Sequence, residues 1–177
     1  MAWTTPLTAV ANATLPAASW NASVRDNLLA TAVALATTSG SHFAATGTNA
    51  LAERKSQSNT VATSQTTTST SYTDLATVGP TLTITTGTLA ISFTTVQMSN
   101  STTAIDTFAS VDISSATTDA AADARALVCD ATANHAARRT AAALHTLTAG
   151  SNVFTIKYKV AANTGTFVNR NLIVMPF

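Results

Sequence analysis

Acid–base catalysis needs two titratable groups converging on one pocket, and this 177-residue chain has only eight Asp and Glu, scattered singly through turn-like stretches. Asp119, Asp123 and Asp130 come closest to a set, since a polar loop followed by a strand can offer carboxylates to a hard cation such as calcium. Their spacing matches no EF-hand or repeat loop, so they read as solvated loop carboxylates. His42, His135 and His145 lack Cys or carboxylate company at zinc-ligand spacing. The single cysteine, Cys129, lies in Leu127-Val128-Cys129 and reads as a small buried hydrophobe on a strand. The chain has no Gly-x-Ser-x-Gly elbow, no Gly-rich phosphate loop and no Cys-His pair. Arg138-Arg139 is the only doubled arginine, and on a strand its members point to opposite faces, which excludes a phosphate clamp. The expectation is a protein that is not an enzyme and uses no cofactor and no metal.

Charged residues make up 10% of the chain, against roughly a quarter in ordinary domains. Thr and Ala together supply about two fifths of it. A surface of hydroxyls and methyls, poor in charge, is expected to be consumed by neighbouring copies or a larger assembly. The formal net charge of +1 offers no footprint for nucleic acid or an anionic membrane. Aromatics, at 6%, are too few for a base-stacking platform. One cysteine fits assembly in a reducing cytoplasm. The start lacks a basic n-region and is broken by Pro6 and Pro16, so no signal peptide is expected.

Three stretches would have to position whatever the chain does. Residues 1–36 read as an extended arm around Trp3, Leu7, Val10 and Leu15, followed by one helix. Pro16 fits its first turn, and Trp20, Val24, Leu28, Ala32 and Leu35 recur on one stripe with Arg25 and Asp26 beside it. Trp20 anchors that helix either on its own domain or in a partner's pocket. Residues 37–59 read as linker, in which Glu53-Arg54-Lys55 is a solvated connector or, less favoured, a helical turn. From residue 60 to 177 the pattern turns to period two with β-branched residues, predicting strands over 61–67, 72–78, 81–85, 89–98, 107–114, 125–130, 136–147, 153–160 and 167–175. Either of the first two is expected to be a short edge piece. Phe154, Ile156 and Tyr158 should face the core, as should Leu89, Ile91 and Phe93, with a bulge where Val96 and Met98 break phase. Phe108, Val111 and Ile113 should join them. The Ala-rich 136–147 run has helical propensity but lies between turn-bounded strands, and its small residues suit close packing of subunits. The fold class expected is mainly β: an extended arm and single helix followed by a jelly-roll-like antiparallel β-sandwich.

Trp3-Thr4-Thr5-Pro6, then Leu15, Asn21 and Val24-Arg25-Asp26-Asn27-Leu28, resembles the N-terminal motif of small virion proteins of tailed bacteriophages, especially those of actinobacteria. These are described as head fibre, decoration or minor tail proteins. The motif covers about a sixth of the chain. Looser matches follow at Ser71-Tyr72-Thr73-Asp74, Met98-Ser99-Asn100-Ser101, residues 147–152 and the closing hairpin. Pro16-Ala17-Ala18-Ser19 departs from the resembled pattern, which tends to start its helix with a Thr cap and an acidic residue. The resemblance implies a virion structural protein, commonly a homotrimer, assembled in the host cytoplasm, with an anchoring segment and an outward β domain. Its anchoring residues would be Trp3, Pro6, Arg25, Asp26 and Leu28, beside Leu15 of the arm and the stripe residues Trp20 and Val24. Its partners would be its own copies and phage capsid or tail proteins. The alternative is a tail-associated module that recognises host cell-wall carbohydrate through the polar loops at 116–122 and 163–165.

Overall fold

The alternation of β-branched and polar residues along the second half of the chain is realised as long antiparallel strands. The computed structural model describes residues 8, 14–29, 31, 35–48 and 50–177. Two compact units are found, Met1–Lys55 with Phe177, and Ser56–Pro176.

In the first unit a helical run covers residues 17–29, as Ala17–Trp20, a π-wound Asn21–Asp26 and Asn27–Leu29. Pro16 is extended and sits just outside the first turn as its N-cap, where its missing N–H costs nothing. Of the stripe predicted to continue to Leu35, Ala32 lies outside the described residues, and Leu35 is helical, its N–H donating to the Thr31 carbonyl at 3.0 Å. Residues 37–59, expected as linker, instead carry a hairpin, β1 (His42–Gly47) with β2 (Ala50–Arg54), and the start of the next strand. Glu53-Arg54 is therefore strand and neither a helical turn nor a connector. Thr46, Gly47 and Thr48 disguised a short hairpin as turn material.

The second unit contains β3 (Gln57–Val61), β4 (Gln65–Thr67), β5 (Thr81–Thr86), β6 (Leu89–Asn100), β7 (Thr107–Ser115), β8 (Leu127–Cys129), β9 (Ala137–Thr146), β10 (Gly150–Val160) and β11 (Gly165–Pro176). Its pairing is a nested hairpin: β7 with β8, β6 with β9, β5 with β10 and β4 with β11, all antiparallel. Pairing of β10 with β7 and β11 with β6 wraps that hairpin into two sheets, β5-β10-β7-β8 and β3-β11-β6-β9. This is a jelly roll, the sandwich that two Greek keys produce. The Ala-rich stretch is strand β9, because its neighbour β6 supplies ten partners in continuous register.

Phe154, Ile156, Tyr158, Val160, Phe167, Leu172 and Val174 fill the space between the sheets, all fully buried. Tyr158 and Phe167 meet edge to face at 4.8 Å. Val111 and Ile113 join this core, but Phe108 lies on the outer side of β7 beneath Lys159. The phase of β6 is the reverse of that expected. Ala90, Ser92, Thr94, Val96, Met98 and Asn100 point inward, while Leu89, Ile91 and Phe93 point out. No bulge interrupts β6 against β9; the irregularity falls on β11, between Val168 and Asn171, where Asn169 has a φ of 50°.

Residues 72–78, predicted as a strand, contribute one bridge, in which Thr73 and Tyr158 exchange both backbone bonds. Beyond it the segment turns to serve a buried cation. Arg170 on β11 is fully buried, and its Nη1 donates to the carbonyls of Thr77 and Gly79 at 3.2 Å each. Its Nη2 donates to Gln65 Oε1 at 3.1 Å and Thr63 O at 3.4 Å. The guanidinium lies 5.4 Å from the centre of the Tyr158 ring, whose hydroxyl donates to the same Gly79 carbonyl. Gly79 presents that carbonyl from a φ of +88°, which only glycine adopts freely.

Replacing Arg170 by Met removes a donor from four acceptors, of which Gly79 O and Gln65 Oε1 keep a second one, and should destabilise the fold by about 2–4 kcal/mol. Arg170→Lys should recover little, since one ammonium cannot span the fork. Urea unfolding should show a lower midpoint at unchanged slope. A second expectation concerns His145, buried between the sheets with Nε2 2.8 Å from Ser92 Oγ and its ring edge-on to Phe154. Burial holds its pKa below the ordinary 6.5. The folded state therefore binds fewer protons than the unfolded one, so stability is full above 6.5 and falls as pH drops below it. Melts at pH 7.5 and 5.5 should show that loss, and His145→Gln should flatten it.

Candidate functional site

The residues singled out for attachment fall in the first unit. Trp3 and Pro6 lie outside the described residues. Leu15, Trp20 and Leu28 are 45%, 53% and 60% exposed, and Leu29, which the sequence reading did not single out, is 53% exposed. Val24 is half-buried. Arg25 Nε donates to Asp26 Oδ1 at 2.8 Å, so these two neighbours pair with each other at the surface. The π-wound turns explain why the stripe is imperfect. Each π turn takes in more residues than an α turn, so positions four apart drift around the axis. Asn27 is the buried member of the run, and its Nδ2 donates to the Ser23 carbonyl one turn back. What remains exposed is a bulky indole and three leucines, able to fill an apolar groove on another protein but bearing no group for chemistry.

One carboxylate organises the chain that leads into the hairpin. Glu53 on β2 accepts from Ser41 Oγ at 2.6 Å, from Thr37 Oγ1, and from the backbone N–H groups of Thr38 and Thr37 at 2.8 and 3.0 Å. The Ser41 hydroxyl, then Thr37 and Thr38, hold its pKa at about 2, below the ordinary 4.5.

In the second unit, the polar chemistry gathers on the outer face of the β5-β10-β7-β8 sheet. Lys159 on β10 reaches Asp123 at 2.7 Å and lies between two rings, 4.6 Å from the centre of Phe108 and 5.0 Å from that of Tyr72. The Tyr72 hydroxyl donates to the same carboxylate at 2.9 Å. Burial, and then Asp123, raise the Tyr72 pKa, so it stays protonated. Lys159, with Tyr72 behind it, lowers that of Asp123. Lys157 pairs with Asp74 at 2.6 Å, and Arg125 with Asp119 at 3.0 Å. These groups are committed to one another, an arrangement that locks loops onto strands. Among the described residues no three His, Cys, Asp or Glu converge on a metal position. Asp119 and Asp123 each face a cation instead, and Cys129 is buried.

The two loops considered for carbohydrate do not share a mouth. Residues 116–122 leave β7 beside Asn152, whose Oδ1 accepts from the Thr117 amide. They then run back along β7, bridging Ile113 through Asp119 and Ser110 through Ala122. Residues 163–165 turn at the other end of β10, beyond Val160, about 26 Å along the strand from Asn152. Asn163 takes the left-handed φ of 61° expected of that turn.

Sequence reasoning missed one surface entirely. With the β6 phase reversed, Leu89, Ile91 and Phe93 stand on the outside of the β3-β11-β6-β9 sheet, beside Leu144, Ile173 and Met175. The signal was present in β9 and β11, where apolar residues occupy both faces. A strand covered on one side alternates; one covered on both does not.

No protein-family model and no curated protein matches the chain. Among solved structures it is similar to a chain in the structure of infectious bursal disease virus Gx strain, at 12% identity and a TM-score of 0.45. The match covers 72% of this chain and 34% of that one, so this chain spans about a third of its length. No described helix is long and apolar enough to cross a membrane.

The Glu53 arrangement gives a pH signature. Its folded pKa is depressed, so the ordering of residues 37–41 is complete above 4.5 and is lost as pH falls toward 2. The Thr38 amide resonance should move through that window, and in Glu53→Gln it should be displaced at every pH.

Proposed function

We propose that the chain is a non-enzymatic structural protein of a bacteriophage virion, attached through its N-terminal unit and displaying its jelly roll. The observation that carries this reading is the exposure of Leu15, Trp20, Leu28 and Leu29 on one short segment. This is the same segment that resembles the attachment motif of small phage virion proteins. A soluble chain has little reason to keep an indole and three leucines half in water unless another surface covers them. The finer reading is a homotrimeric head fibre or capsid decoration protein, whose partners are its own copies and capsid or tail proteins. The short-range pairing of Arg25 with Asp26 beside the apolar groups supplies a polar rim for such a contact. The alternative, a tail-associated receptor for host glycan, draws no support from the loops proposed for it, which open at opposite ends of β10.

The test is the composition of purified phage particles. The chain should appear at a copy number matching a repeated virion position, and Trp20→Ala with Leu28→Ser should reduce its incorporation at least tenfold, the effect of losing an interface anchor. The jelly roll of the variant should melt as the wild type does. A folded chain absent from particles would overturn the reading.

A further inference from the structure

The two outer faces of the sandwich differ in chemistry. On one, Lys157, Lys159, Arg125, Asp74, Asp119 and Asp123 form the ion pairs already described. On the other, register places the outward residues in cross-strand rows. Met175, Ile91 and Leu144 form one row, and Ile173, Phe93 and Ala142 the next, with Leu89 beside Thr146 at the margin. Continuing along the sheet come Asn171, Thr95 and Thr140, the last two joined through their hydroxyls at 2.9 Å. Ser58 and Thr60 complete the face on β3. Of the outward positions on β6, β9 and β11 only Arg138 is charged, six residues and about 20 Å along β9 from Leu144.

We infer that this outer face of the β3-β11-β6-β9 sheet is where copies of the chain meet. Its area fits. Leu89, Phe93, Leu144, Ile173 and Met175 are 39%, 37%, 66%, 39% and 36% exposed. At roughly 200 Å² for a fully exposed large side chain, they present on the order of 400 Å² of contiguous apolar surface. One partner in a stable interface contributes about 800 Å², a little over half of it apolar, so the patch supplies that apolar share. Its charge also fits. A partner of different chemistry is selected by complementary charge, and these two rows carry none. A second copy brings the same neutral rows, so no like charges are forced together. The ion-paired face is left to water, which is what keeps the assembly soluble.

The inference deepens the proposed assembly by naming its contact, and rests on that reading only for the expectation of self-association. Sedimentation equilibrium of the full chain over a dilution series should give a mass that is a multiple of the 18.1 kDa single chain. Leu144→Asp and Ala142→Glu, both at exposed positions, should sediment at the single-chain mass while keeping a wild-type far-ultraviolet spectrum. Val128→Asp, at a 43% exposed position on β8 in the opposite sheet, should keep the wild-type mass. A single-chain mass for the wild type at every concentration would overturn the inference, as would either folded variant retaining the full mass. If one variant fails to fold, the other decides. Self-association lost in Leu144→Asp, for a chain absent from particles, would leave this contact standing and sink the virion reading.

Discussion

A guanidinium buried without a carboxylate sets the terms for the jelly roll. Placing a cation between two sheets is costly unless its N–H groups are answered, and the Nη1 and Nη2 groups of Arg170 are answered by neutral oxygens: three carbonyls and a glutamine amide. Those oxygens come from the end of β4, from the turn that follows β3, and from the approach to β5. One side chain thus ties together β4 and two stretches, around Thr63 and Thr77–Gly79, that lie outside the strands. Tyr158 underlies it, with burial keeping the phenol protonated so that it too donates to Gly79. A hydrophobe at position 170 could fill the volume, yet it would leave the Thr63, Thr77 and Gly79 carbonyls without the group that draws them together.

The ion pairs of the second unit lie on one of its two sheets. A composition this poor in Asp, Glu, Lys and Arg cannot cover a whole sandwich, and the second unit concentrates its ion pairs on a single sheet. Lys159 shows how closely that sheet is tied down, since its ammonium satisfies Asp123 while lying over the faces of both Tyr72 and Phe108. The opposite sheet is left with methyls and hydroxyls. This division makes a charge-poor chain compatible both with water and with a neighbour of its own kind.

Much of the architecture was legible because β structure writes itself in period two. Val153 to Val160 gave its inward face directly, and the short spacing of turns announced a sandwich. The phase of β6 was not legible, for a physical reason: Leu89, Ile91 and Phe93 are more apolar than Ala90, Ser92 and Thr94, so a rule that buries the greasier side chooses the wrong one when both sides are destined to be covered. Val96 and Met98 held the correct phase. The hairpin of residues 42–54 was hidden by Ala, Thr and Gly, whose side chains carry little pattern. Residues 72–78 have a strand's composition, but past the Thr73 bridge the segment turns to present the Thr77 carbonyl to Arg170, a long-range contact that no local window reveals. Of the helical run at residues 17–29, the placing of Trp20, Val24 and Leu28 on a helix was legible from spacing, whereas the π winding that spreads them was not.

The nested hairpin has a consequence for what an assembled surface presents. Gln57 enters the sandwich opposite Val174, so the chain comes in and goes out at the same end of β11. The turns between β6 and β7, β8 and β9, and β10 and β11 gather at the other end. There Ser101 bonds Thr164, Asn134 bonds Asn100, and Ala161 bonds Asp106, all through the backbone. Main-chain bonds are indifferent to side-chain identity. The side chains that add to them are few, Asn100 Oδ1, Ser101 Oγ and Thr103 Oγ1 accepting from the Thr102, Thr164 and Ala133 amides, so the other outward positions of that tip can change without disturbing either the buried arginine or the neutral face.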